Sequence, residues 1–261
     1  MELSCRTQRL RPDENGVNRW ETVTTSCEMI PSQTTVILCD VWDNHWNRAA
    51  VSRLEPLLKP MNDLCSILRG QGVWIIHAPS DTVSFYDGCP ARERMRRRCG
   101  GTPRIVRSLP DPPSPLDASD GGNDANAPDA LVNRRVWTRQ HPAIMIDQQK
   151  DGISDDGPEI FGCLRERGIN CVLFMGVHTN MCVLNRSFGI KNLVRWGMDA
   201  VLIRDLTDPM YNPAMPPYVN HGLALELITG YIEKFWCPTV GSEDLRKAFY
   251  ADANKTNANL Y

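Results

Sequence analysis

The sequence predicts an α/β protein, a three-layer α/β/α sandwich built on a mainly parallel sheet. Three observations carry that prediction. Short apolar runs at 34–40, 73–77 and 171–175 read as strands buried on both faces. Stretches with apolar residues at helical spacing alternate with them, the pattern of βα units joined by right-handed crossovers. A chain of 261 residues is long enough for one such domain with a well-buried core.

In chain order, residues 1–33 are polar and irregular, with strand character at 20–25, and read as an extension draped over a main domain of 34–240. The first strand, 34–40, ends in Asp40. A helix over 49–70 carries Leu54, Leu57, Leu58, Met61, Leu64 and Leu68 on its apolar face. Pro56 and Pro60 cannot both sit inside one regular helix, so a break near Pro60 is expected. Gly70 and Gly72 end it. After the strand at 73–77, Pro, Gly, Asp, Ser and Arg dominate from 79 to 133. An insertion of that length is functional or disordered. Within it, the basic run 92–98 reads as a solvated face. The acidic stretch 117–124 looks like a calcium loop without its distal glutamate, and reads as a solvated loop. A third strand is expected at 135–139, extendable toward Ile146. Then come a helix at 157–167, the strand 171–175, a helix at 183–196, a strand at 200–204, a helix at 223–235 and a tail at 241–261.

A net charge of −2 argues against a nucleic-acid or anionic-membrane partner. No stretch approaches the roughly 20 apolar residues of a membrane span, and the first residues lack the apolar segment of a signal peptide. The 10 cysteines fall at irregular spacings with no CxxC pair or Cys/His metal spacing, and read as reduced thiols of a cytoplasmic protein. No GxGxxG or P-loop follows the first strand, so no nucleotide cofactor is expected.

In parallel sheets, ligands gather at the carboxyl ends of the strands. Asp40, His77, Arg139, Asp205 and the turn Gly176-Val177-His178-Thr179-Asn180-Met181-Cys182 are all expected there. Cys182 begins a helix, where unpaired N–H groups and the dipole favour a thiolate. That placement predicts fast alkylation at neutral pH. The alternative is a small buried hydrophobe. Asp40 can take the thiol proton and return it to a leaving group. Arg139, or Thr138 if the register slips by one, can support developing negative charge. Amides at the helix start can form an oxyanion hole. Trp42, His45 and Trp46 follow Asp40 closely enough to line a substrate pocket, with core packing as the competing role.

The strand-Asp piece at 36–40, the run Gly176-Val177-x-x-x-x-Cys182-Val183 and the later Arg204-Asp205 resemble the isochorismatase-like cysteine hydrolase superfamily, which includes nicotinamidases and ureide hydrolases. The resemblance spans about residues 34–206. It implies the isochorismatase-like α/β/α fold, Asp40 as base, Cys182 as nucleophile, and a cis peptide at Val177–His178 that aims the His178 and Cys182 amides at an oxyanion. It further implies a small-molecule substrate, no cofactor, and a homo-oligomer. The activity it implies is cleavage of a C–N bond in a small amide, ureide or carbamoyl compound through a thioester. Some nicotinamidases bind a metal through an Asp-x-His pair. Asp43 and His45 have that spacing but lie too close to Asp40 to match, so no metal is expected. The chain departs from the pattern at its cation. The superfamily has a lysine near the end of the third strand, where this chain offers Arg139. A binding or scaffold protein on the same fold is therefore the first alternative. Vinyl-ether hydrolysis of the isochorismatase type is the second, and Cys182 weighs against it.

Overall fold

The computed structural model describes residues 1–96, 103–122 and 135–258, with side chains through 250. Parts of the 79–133 insertion, including Arg97, Arg98, Asn123 and Asp124, lie outside the described residues. Eight strands form one sheet: β1 (Glu2–Pro12), β2 (Asn18–Glu28), β3 (Thr34–Cys39), β4 (Trp74–Ala78), β5 (Gly152–Ile153), β6 (Cys171–Val177), β7 (Asp199–Asp208) and β8 (Thr239–Val240). Their order is β2-β1-β8-β7-β6-β3-β4-β5. The run from β8 to β5 is parallel, and β1 closes the other side antiparallel to both β8 and β2.

Period-two alternation decides the layers. Val36 and Leu38 of β3 face one side with Ile75, Leu173 and Met175. There they pack on α1 (Arg48–Gly70), through Leu54, Leu58, Met61, Leu64 and Leu68, and on α7 (Ser242–Ala258), through Leu245 and Phe249. Ile37 and Cys39 face the other side with Ile76, Val172 and Phe174. That face is covered by α3 (Gly157–Glu166), α5 (Ile190–Arg195) and α6 (His221–Phe235). Both faces are dry, which is why the strands read as continuous apolar runs. No helix among the described residues is long and apolar enough to cross a membrane.

Several elements differ from expectation, each for an identifiable reason. Residues 1–33 are not irregular: β1 and β2 form a long hairpin in register from Glu2↔Glu28 to Pro12↔Asn18. The tail folds as α7. Helix α1 runs through both prolines. Spaced four apart, they place both missing hydrogen bonds on one side of the helix, and burial of Leu54, Leu58, Met61, Leu64 and Leu68 on the other offsets their loss. The third strand is not 135–139. Its place beside β4 is taken by β5, with Ile76↔Gly152 and His77↔Ile153. The Asp43 carboxylate draws the 138–139 backbone away by accepting the Thr138 N–H at 2.8 Å and the Arg139 N–H at 3.3 Å. Within the insertion, α2 (Pro90–Arg96) forms, and Arg92 is buried against Glu159 rather than solvated. The helix expected at 183–196 splits into α4 (Cys182–Asn185) and α5, and the turn between them is tight enough that a Cβ on Gly189 would lie 2.9 Å from the Leu184 and Arg186 backbone.

Candidate active site

Asp40 follows β3 immediately, with a left-handed backbone (φ 51°) that turns its carboxylate back under the sheet edge. The carboxylate is fully buried. It accepts the Ser80 N–H at 2.8 Å and the Arg186 Nε–H at 3.1 Å, and the Cys182 thiol stands close enough that each group shifts the other. Adjacent strands bring these groups together. Gly176 of β6 pairs with Cys39 of β3 so closely that a Cβ there would lie 2.1 Å from the Cys39 carbonyl, and its φ is +117°. Only glycine fits that approach. The chain then turns through 178–181 into α4. The Thr179 N–H donates to the Asp208 carbonyl at 3.0 Å, and the Asn180 side chain bonds both the N–H and the carbonyl of Met210. The N–H groups of Met181 and Val183 both donate to the His178 carbonyl, at 3.0 and 3.2 Å. The Cys182 N–H has no acceptor among the described residues, and the His178 N–H faces the Cys182 sulfur. The Val177–His178 peptide is cis.

The electrostatics reverse one expectation. Burial, and after it the Asp40 carboxylate, push the Cys182 thiol up to about 12. Arg186 and the His178 N–H pull the other way without prevailing. The helix that was expected to favour a thiolate has only 4 residues and contributes little dipole. Burial also raises Asp40 above its ordinary value, with Arg186, Ser80 and Cys182 opposing. The thiol therefore rests neutral, beside an acid whose side chain is held by a guanidinium.

Arg186 was not among the residues singled out from sequence. Its signal was present, since it stands four residues after Cys182, the spacing that places two side chains on one helical face. Arg139 is exposed, with its guanidinium 5.5 Å from the Phe85 ring centre, and the basic group on Asp40 is Arg186. Thr138 is bonded to Asp43. His77 is buried and paired with Asp151 at 3.0 Å, which makes it part of the scaffold. Asp205 lies within β7 toward its carboxyl end, where it accepts from Ser242 at the start of α7 and takes no part in the Asp40–Cys182 cluster.

A recess of only about 10 Å³ adjoins the pair, lined by Asp40, Trp42, Asn44, His45, Val177 and His178 among others. Rings fill its surroundings. Trp42 stacks on Trp137 at 4.5 Å, and His45 stacks on Trp137 at 5.2 Å while meeting Trp46 and His178 at the same separation. Trp42 and His45 thus reach the recess, whereas Trp46 only supports His45. The His45 Nδ1 accepts the Asn47 N–H, so the neutral ring carries its proton on Nε2. Burial lowers His45 to about 4 and His178 well below its ordinary value, leaving both neutral. Among the described residues, no group of three His, Cys, Asp or Glu side chains is placed to hold a metal ion.

No family model and no curated protein matches the sequence. Solved structures do. The chain superposes on a cysteine hydrolase from Pseudomonas syringae pv. phaseolicola 1448A with a TM-score of 0.55, 14% identity and coverage of 85% of this chain and 95% of that one. It superposes on an isochorismatase from Pseudomonas putida KT2440 with a TM-score of 0.50, 12% identity and coverage of 82% and 91%. At such identities the likeness is one of architecture, and the fold of this chain is isochorismatase-like.

Proposed function

We propose that the protein is a thiol hydrolase that cleaves a C–N bond in a small amide, ureide or carbamoyl compound. One observation carries the reading: a buried acid side chain and a thiol close enough to shift one another at the carboxyl edge of a parallel sheet. Because the thiol is neutral at rest, attack and deprotonation are concerted. Asp40 takes the Cys182 proton as sulfur bonds to the substrate carbonyl carbon. The oxyanion that forms is met by the Cys182 and His178 N–H groups. The C–N bond breaks, and the departing amine leaves with the proton held by Asp40. Asp40 then activates water, whose attack on the thioester releases the acid and restores the thiol. Trp42 and His45 shape the substrate side. No step calls for a cofactor.

The narrow recess and the raised thiol favour one competing reading, a protein that binds a small molecule on this fold without turnover. A panel of small amides, ureides and carbamates, assayed for amine or ammonia release, separates the two. Hydrolysis is expected, with Asp40→Asn slower by about 10²–10⁴-fold and Cys182→Ala inactive. Tight binding without release, or equal rates in wild type and Cys182→Ala, overturns the thiol mechanism.

A further inference from the structure

We propose that Arg186 is the cation of this site, paired with Asp40 and set to face the charge that forms on the Cys182 sulfur. The inference rests on the hydrolase reading for its purpose, but its geometry is independent of any substrate. The position where the superfamily pattern has lysine cannot supply a cation here. The third parallel strand, β5, ends at Ile153 and runs into Ser154, Asp155 and Asp156. Arg139 stands exposed over Phe85.

Arg186 is held from both ends. Its Nε lies 3.1 Å from the Asp40 carboxylate and its Nη2 lies 3.5 Å from that of Asp81. Its own backbone is fixed as firmly: the N–H donates to the Cys182 carbonyl at 3.0 Å, and the carbonyl accepts from Gly189 at 2.7 Å and from the Asn192 side chain at 3.0 Å. Nucleophile and cation therefore travel on one rigid turn, four residues apart, rather than on two strands. A guanidinium keeps its charge throughout the range in which a protein is folded, so it can hold Asp40 ionised but cannot shuttle protons. Proton traffic is confined to Asp40 and Cys182.

Alkylation of Cys182 by iodoacetamide tests this without a substrate, because the reagent consumes the thiolate and its pH dependence reports the charges around sulfur. Full-length wild type, Arg186→Met, Arg186→Lys and Arg139→Met are followed by peptide mass mapping across pH. Arg186→Met is expected to move the rising limb up by about one pH unit, roughly tenfold in rate at fixed pH. Arg186→Lys should recover most of that shift, and Arg139→Met should superimpose on wild type. An unshifted Arg186→Met profile, or an equal shift in Arg139→Met, overturns the proposal. If Arg186→Met also exposes buried Cys39 and Cys163, it has unfolded, and the comparison moves to the Asp40→Asn background, which leaves no buried carboxylate unpaired. There the double variant must again alkylate about tenfold more slowly than Asp40→Asn alone, and equal rates refute the assignment. Failure of the hydrolysis panel would leave these profiles unchanged, so the two readings fail separately.

Discussion

At the scale of the residue, the site is governed by what burial does to charge. Asp40 has no contact with solvent, and burial raises it above its ordinary value while Arg186, Ser80 and Cys182 oppose that shift. Removing one partner of such a pair typically costs about 3–5 kcal/mol, because the other charge is left stranded. On the proposed hydrolase reading, the same burial sets the pH dependence of turnover. Asp40 titrates above its ordinary value, so kcat/KM should rise with pH as the base ionises, on a limb lying higher than that of a free aspartate. With the Cys182 thiol up at about 12, no second limb from thiol ionisation should appear through pH 9, an expectation tied to the pKa of that group. A pH–rate profile measured on any accepted substrate checks both points. A rising limb near the ordinary cysteine value would show that free thiolate, and not the thiol paired with Asp40 as base, is the reactive species.

At the scale of the element, short interruptions and single side chains decide placement. The hairpin β1–β2 meets the parallel sheet through one register pair, Arg6↔Thr239. It is pinned there by Glu233 of α6, whose buried carboxylate accepts from Arg6 at 2.6 Å, Gln8 at 3.2 Å and Thr239 at 2.6 Å. Hydrogen bonds to an ionised group contribute about 1.5–3 kcal/mol each. Glu233→Gln should therefore loosen the hairpin while leaving the rest of the sheet intact. Amide hydrogen exchange should accelerate in β1 and β2 and stay unchanged in β3 and β6. Uniform acceleration would mean that the hairpin is integral to the global fold instead of an added arm.

At the scale of the whole molecule, stability follows from which groups the fold keeps neutral. His45 falls from an ordinary 6.5 to about 4, and His178 shifts in the same direction. Between those values the unfolded chain takes up protons that the native chain refuses. The contribution of His45 is thus complete above pH 6.5 and is lost as pH falls toward 4, and that of His178 is lost in the same direction. Urea midpoints should drop between pH 7 and pH 5, and His45→Phe should shrink that drop, since phenylalanine keeps the stacking on Trp137 and has nothing to protonate. A drop of equal size in the variant would place the acid sensitivity elsewhere.

Much of this molecule was written in local patterns. The apolar runs of β3, β4 and β6 are buried on both faces, so their composition alone marks them as central parallel strands. Asp40 and Cys182 were legible because strand ends and tight turns leave short sequence marks. What stayed hidden depends on partners distant in sequence. The tract at 135–139 has strand-forming residues, yet Asp43 claims its backbone and a two-residue β5 takes the sheet edge. Pro56 and Pro60 signal a break that long-range burial of α1 overrides. Arg186 stood in plain view, but its role required knowing that the helix breaks after Asn185 and that Asp40 waits across the sheet edge. Even the thiol was misjudged from sequence, for the dipole of a helix start is a local effect, whereas desolvation and the charge of Asp40 arise only when distant strands close around it. The sequence by itself determined the central parallel strands β3, β4 and β6 with their two dry faces, and marked Asp40 and Cys182 as strand-end residues. Only the tertiary structure decided which cation joins them and in which protonation state they rest, because electrostatic energies depend on burial and on distances through space.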